Sequence, residues 1–123
     1  MEKNKILIVE DEAIIALEIE DRLTAMGFLV CGTTSSGEKA ILLTEQNAPD
    51  LILMDVKLRG KMNGIETANI IYDRFRIPSI FVTAFMDERE IDRVNAASRH
   101  QYLLKPIDED ELKKAIESEL NNK

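Results

Sequence analysis

The sequence predicts an α/β fold: five parallel strands in one doubly wound sheet, with helices on both faces. Three observations carry this. Five short apolar runs have strand length, at Ile6–Val9, Phe28–Thr33, Leu51–Met54, Ser79–Thr83 and Tyr102–Leu104. Segments with apolar residues at helical spacing separate them. The alternation is regular, and repeated strand–helix units build a parallel sheet covered on both sides.

Ile6–Val9 is uninterrupted, as expected of a strand buried on both faces. A helix follows from about Asp11, with Ala16, Ile19, Leu23 and Met26 along one stripe, and Gly27 occupies the usual terminating position. After the strand Phe28–Thr33, Ser35-Ser-Gly-Glu38 has the spacing of a capping box and opens a helix to about Gln46. Asn47-Ala-Pro-Asp50 breaks it ahead of Leu51–Met54. Lys57–Asn63 reads as a polar loop, and Gly64 precedes a helix carrying Ile65, Ala68, Ile71 and Phe75. Pro78 stops that helix before Ser79–Thr83. A helix near Asp87–Ala97 has few apolar positions, and Tyr102–Leu104 is a short last strand. The closing helix starts at about Asp108 and aligns Leu112, Ala115, Ile116 and Leu120.

A chain of 123 residues suits one domain spanning 1–123, long enough for a single core. With 45% hydrophobic and 32% charged residues, its composition is that of a globular protein. The net charge of −7 argues against a large nucleic-acid footprint, which needs a basic face. Cys31 is the single cysteine and is expected to be a buried, inert thiol in a reducing cytoplasm. No apolar run approaches the ~20 residues of a membrane span, and residues 1–12 lack the apolar core of a signal peptide.

Four polar spots follow buried runs: Glu10-Asp11, Asp55, Thr83 and Lys105-Pro106. Parallel adjacent strands bring their carboxyl ends to one sheet edge, where ligands bind in open α/β sheets. Three carboxylates, a hydroxyl and an ammonium then share one pocket. Oxygen ligands without a histidine or cysteine set favour Mg²⁺, or Mn²⁺, over zinc. Asp55 is the candidate nucleophile, because a carboxylate attacking a phosphoryl donor forms an acyl phosphate. Lys105 and Thr83 are placed to contact other phosphoryl oxygens, and Ala84 is small enough to leave room. Taken singly, each residue also has an ordinary reading. Asp caps helices, Thr forms strands, and a lysine before a loop proline is ordinarily a surface residue. Against that, an X-Pro bond has access to the cis form, and a fixed turn there would hold the Lys105 ammonium over the pocket.

The segments Ile6-Leu-Ile-Val-Glu-Asp-Glu12, Leu51-Ile-Leu-Met-Asp55, Gly64-Ile65, Ile80-Phe-Val-Thr-Ala84 and Tyr102-Leu-Leu-Lys-Pro106 resemble the receiver domain of two-component response regulators, across essentially the whole chain. The resemblance implies a flavodoxin-like sheet of strand order 2-1-3-4-5. It implies that Asp55 is the phosphoacceptor, that Glu10 and Asp11 bind Mg²⁺, and that the Lys57 backbone carbonyl completes the protein's ligands. Thr83 and Lys105 become the pair that contacts the phosphoryl group, and Tyr102 the aromatic that turns inward when Thr83 moves. The implied role is a phosphorylation-activated switch, not an enzyme acting on other substrates. Its implied partners are a sensor histidine kinase or phosphotransfer protein, and an output domain or second copy met through the face of helix 4, strand 5 and helix 5. Neither direct nucleic-acid binding nor a membrane is implied.

Two stretches depart from the family pattern. Val56-Lys-Leu-Arg-Gly-Lys-Met-Asn-Gly64 lacks the usual proline and is about one residue longer, and Ser98-Arg99 replaces a usual Gly-Ala pair. Lys57 and Phe85 flank the site and are expected to tune phosphate lifetime. Lys57 either screens the acyl phosphate or points to solvent, the latter being preferred. His100, the only histidine, is expected in an exposed loop. A dehalogenase-type phosphatase is a competing reading, but it wants a second acid two residues after the nucleophile, where Lys57 stands. A degenerate receiver that only docks partners is a third reading, opposed by the presence of all five site side chains.

Overall fold

A computed structural model describes residues 3–58, 60–84, 87–97 and 101–121, without the side chains of 94–97. Phe85, Ser98, Arg99 and His100 lie outside the described residues. The elements run β1 (Lys5–Val9), α1 (Ala13–Ala25), β2 (Leu29–Thr34), α2 (Gly37–Asn47), β3 (Leu51–Met54), α3 (Gly64–Phe75), β4 (Ser79–Thr83), α4 (Glu88–Ala97), β5 (Gln101–Leu104) and α5 (Glu109–Asn121). All neighbouring strands pair in parallel, in the order β2-β1-β3-β4-β5.

Side-chain alternation divides each central strand between two cores. Leu7, Val9, Ile52, Met54 and Phe81 face α2 and α3, where Ala40, Ile65, Ala68 and Ile71 meet them. Ile6, Ile8, Leu51, Leu53, Ile80 and Val82 face α1 and α5, against Ile19, Leu23, Leu112, Ala115 and Ile116. The apolar stripes expected of α1, α3 and α5 are therefore the faces that pack. Gly27 follows α1 with φ +94°, a conformation that costs glycine little.

Four local expectations need correction. The capping box is not at Ser35–Glu38. Ser36 is the N-cap of α2 and its hydroxyl accepts from the Lys39 N–H at 3.0 Å, so the position that would answer is a lysine. A full capping box instead opens α3, where Asn63 and Glu66 bond reciprocally. The loop after β3 is not wholly polar, since Leu58 folds into the α2–α3 core. β5 is not a buried run: its residues alternate, and Tyr102 and Leu104 are exposed, because β5 is an edge strand. Cys31 is half-buried rather than buried, with its thiol 3.6 Å from the Ile6 carbonyl oxygen. Among the described residues no helix is long and apolar enough to cross a membrane.

Candidate phosphoacceptor and metal site

The sheet reverses its order of growth between β1 and β3, and Glu10-Asp11 and Asp55 lie just beyond the carboxyl ends of these two strands. Backbone bonds continue the ladder one residue past each strand. The Asp55 N–H donates to the Val9 carbonyl (2.8 Å), the Glu10 N–H to Thr34 (2.9 Å) and the Lys105 N–H to Thr83 (2.9 Å). Each functional residue therefore leaves the sheet at a fixed register. Glu10, Asp55 and Thr83 are buried, and Asp11 is half-buried.

Carboxylate oxygens of Glu10, Asp11 and Asp55 lie within 4.8 Å of one another. Lys105 reaches into this cluster from β5. Its Nζ donates to Glu10 Oε1 at 2.5 Å and lies 3.7 Å from Asp55 Oδ2. Glu10 Oε2 accepts from the Glu12 N–H at 3.0 Å, and Asp55 Oδ1 from the Lys57 N–H at 3.0 Å. Burial pushes the Glu10 carboxyl up to about 7, against the lowering by its bonds to Lys105 and the Glu12 amide, with the Asp55 charge raising it further. Burial acts to lower the Lys105 ammonium, but its bond to Glu10 and the charges of Asp55, Glu10 and Glu12 outweigh that and raise it. The ammonium stays charged among acids that outnumber it. Three hard oxygen donors and an unbalanced negative charge suit a small divalent cation, which relieves carboxylate repulsion.

Glu10, Asp11, Asp55 and Lys105 thus come together at one sheet edge, and Thr83, buried at the end of β4, accepts from the Lys105 N–H through its backbone carbonyl. Tyr102 is outside the pocket, 38% exposed on the edge strand. The Lys57 side chain also turns away, about half exposed, with its Nζ 4.0 Å from Glu90 Oε1. Two contacts were not legible in the sequence. The Lys57 amide holding Asp55 is a backbone donor, and no residue type announces one. Arg22 of α1 donates to the Ile107 carbonyl at 2.9 Å, tying down the loop that follows Lys105 across 85 residues of sequence.

Residues 6–117 match the family described as the response regulator receiver domain. The chain belongs to that family. Receiver domains are regulatory switches in phosphorylation-dependent two-component signalling, and this chain carries the acidic cluster compatible with the Mg²⁺ such domains bind. The transcriptional regulatory protein PdtaR of Mycobacterium tuberculosis is 34% identical over 113 residues, covering 92% of this chain and 55% of that protein. The chain spans about half the length of the curated relatives it matches. The receiver domain of a modulated diguanylate cyclase from Desulfovibrio desulfuricans G20 superposes with TM-score 0.92 at 30% identity, over 98% of this chain and 96% of that one. The anti-anti-sigma factor PhyR of Bartonella quintana superposes with TM-score 0.80 at 31% identity, over 99% of this chain and 49% of that one.

Proposed function

We propose that this receiver, acting as one unit over residues 1–123 in the cytoplasm, takes a phosphoryl group on Asp55 from a partner histidine kinase or phosphotransfer protein. The observation that carries the reading is Lys105, which spans Glu10 (2.5 Å) and Asp55 (3.7 Å) from a strand far along the chain. An Asp55 carboxylate oxygen forms the new bond to phosphorus. The bond from phosphorus to the donor nitrogen breaks, and its electron pair leaves with the imidazole. Glu10, Asp11, Asp55 and the Lys57 carbonyl would hold the divalent ion, which supplies charge neutralisation for the transferring oxygens. Lys105 leaves Glu10 for a phosphoryl oxygen, and the Thr83 hydroxyl donates to another.

The consequence is a shift of Thr83 and of Tyr102, whose exposure supports an outward position before transfer. The face of α4, β5 and α5 would pass this change to an output domain or a second copy. The domain then catalyses only its own phosphorylation and dephosphorylation.

Incubation with acetyl phosphate and Mg²⁺ tests the reading. A base-labile mass gain is expected by intact-protein mass spectrometry, abolished by Asp55→Asn. No gain from acetyl phosphate, and none from a phosphorylated kinase, would sink it. Steady phosphate release from many monoesters would favour the phosphatase instead.

A further inference from the structure

We infer that Gly64 is a positioning residue for Asp55, acting by the absence of a side chain; this rests on the phosphoacceptor reading. Two helices begin with a buried glycine at the first helical position, Gly37 in α2 and Gly64 in α3. Neither has a positive φ, since among the described glycines only Gly27 and Gly60 do. Alanine would fit both backbones and is the better helix former. Space, not conformation, requires glycine at each.

The two differ in what fills that space. A Cβ at Gly37 would overlap the Thr67 hydroxyl and lie 3.3 Å from the Met62 Cβ, both side-chain atoms. A Cβ at Gly64 would overlap the Asp55 carbonyl oxygen and lie 2.8 Å from the Asp55 carbonyl carbon and 2.9 Å from the Val56 Cα. These are backbone atoms of the acceptor residue and its neighbour, and no rotamer relieves them. The Gly64 N–H also donates to the Val56 carbonyl at 2.8 Å. The start of α3 is thereby seated against the peptide that follows Asp55. The Lys57 amide, one residue further, holds the Asp55 carboxylate. Any side chain at 64 would displace that peptide and swing the carboxylate away from Glu10, Asp11 and Lys105.

The test compares Gly64→Ala with Gly37→Ala in three measurements: urea unfolding, Mg²⁺ titration followed by amide NMR shifts, and the rate of Asp55 phosphorylation by acetyl phosphate. Gly64→Ala is expected to weaken Mg²⁺ binding and to slow phosphorylation by about a hundredfold, the size that misplacement by about 1 Å costs. Gly37→Ala is expected to lose stability, to regain part of it with Thr67→Ala, which removes the overlapping hydroxyl, and to keep wild-type Mg²⁺ affinity and rate. Wild-type Mg²⁺ affinity and rate in folded Gly64→Ala would overturn the assignment, as would losses in both variants that merely follow stability. Should Gly64→Ala not fold, Asn63→Ala loosens the same helix start from a less buried position. Weakened Mg²⁺ binding there, restored by Asn63→Asp, supports the assignment, and unchanged binding overturns it. If the wild type takes no phosphoryl group, the proposed function fails while the Mg²⁺ measurements still decide the role of Gly64.

Discussion

β4 and β5 lie side by side in one sheet and are built differently. Every residue of β4 is buried, whereas none of β5 is fully so. Thr83 leaves the first and Lys105 the second, and the two strands pair Thr83 with Leu104 at their ends. An inner strand holds its terminal residue from both faces. The edge strand holds Lys105 chiefly through one backbone bond to Thr83 and the ion pair to Glu10. The acidic half of the pocket thus rests on packed strands, and its cationic half on a strand open to solvent.

The largest expected effect tests this contrast directly. Phe81→Ala, on fully buried β4, should cost about 3–5 kcal/mol in urea unfolding. Leu104→Ala on β5, where the side chain is 52% exposed, should stay within about 0.5 kcal/mol. Similar losses at both would erase the distinction.

Next comes Lys105→Met, which removes the cation facing Glu10 and Asp55. At about pH 8 it should cost on the order of 1–3 kcal/mol, because buried acids lose their partner. At about pH 5 the cost should shrink, because Glu10 takes up a proton. Added Mg²⁺ should stabilise this variant more than the wild type, seen as a larger rise in Tm. Equal rises would mean that the ammonium and the metal do not share the same acids.

A smaller effect follows from Glu10 itself. Its folded pKa is raised from 4.5 to about 7. The folded state therefore holds the extra proton, and the stability linked to it is full below 4.5 and lost as pH rises through about 7. Metal binding has the opposite sign, since it needs the carboxylate. Below about pH 7 Mg²⁺ affinity should fall by up to about tenfold per pH unit, and above it should level off. Calorimetric titration across that range checks both the slope and the plateau, and Glu10→Gln should flatten the profile.

The smallest effect is expected of Lys57. Its pairing with Glu90 is long and its own side chain is about half exposed, so Lys57→Ala should shift stability by less than about 0.5 kcal/mol. The half-life of the acyl phosphate is the informative measurement. An unchanged half-life removes Lys57 from any screening role, and a shortened one means the side chain swings back once Asp55 is modified.

By itself the sequence determined the five strands, the stripes of α1, α3 and α5, and the three acids and the lysine that meet at the sheet edge. Those features depend on local order and period: apolar runs at Ile6–Val9 and Leu51–Met54, and a polar residue immediately after each. The family resemblance added the strand order. What only the tertiary structure decided depends on neighbours far along the chain. β5 is half exposed because no strand lies beyond it. Reciprocal capping falls at Asn63–Glu66 and at Asp87–Glu90 rather than at Ser35–Glu38, because the helices begin where the folded chain places them. Lys105 turns to Glu10 because burial leaves that carboxylate in need of a donor. Gly64 stands out in the sequence as part of a motif, but the space it must leave shows only when α3 is laid against the Asp55 backbone, and close approach is a property of two segments that neither states alone.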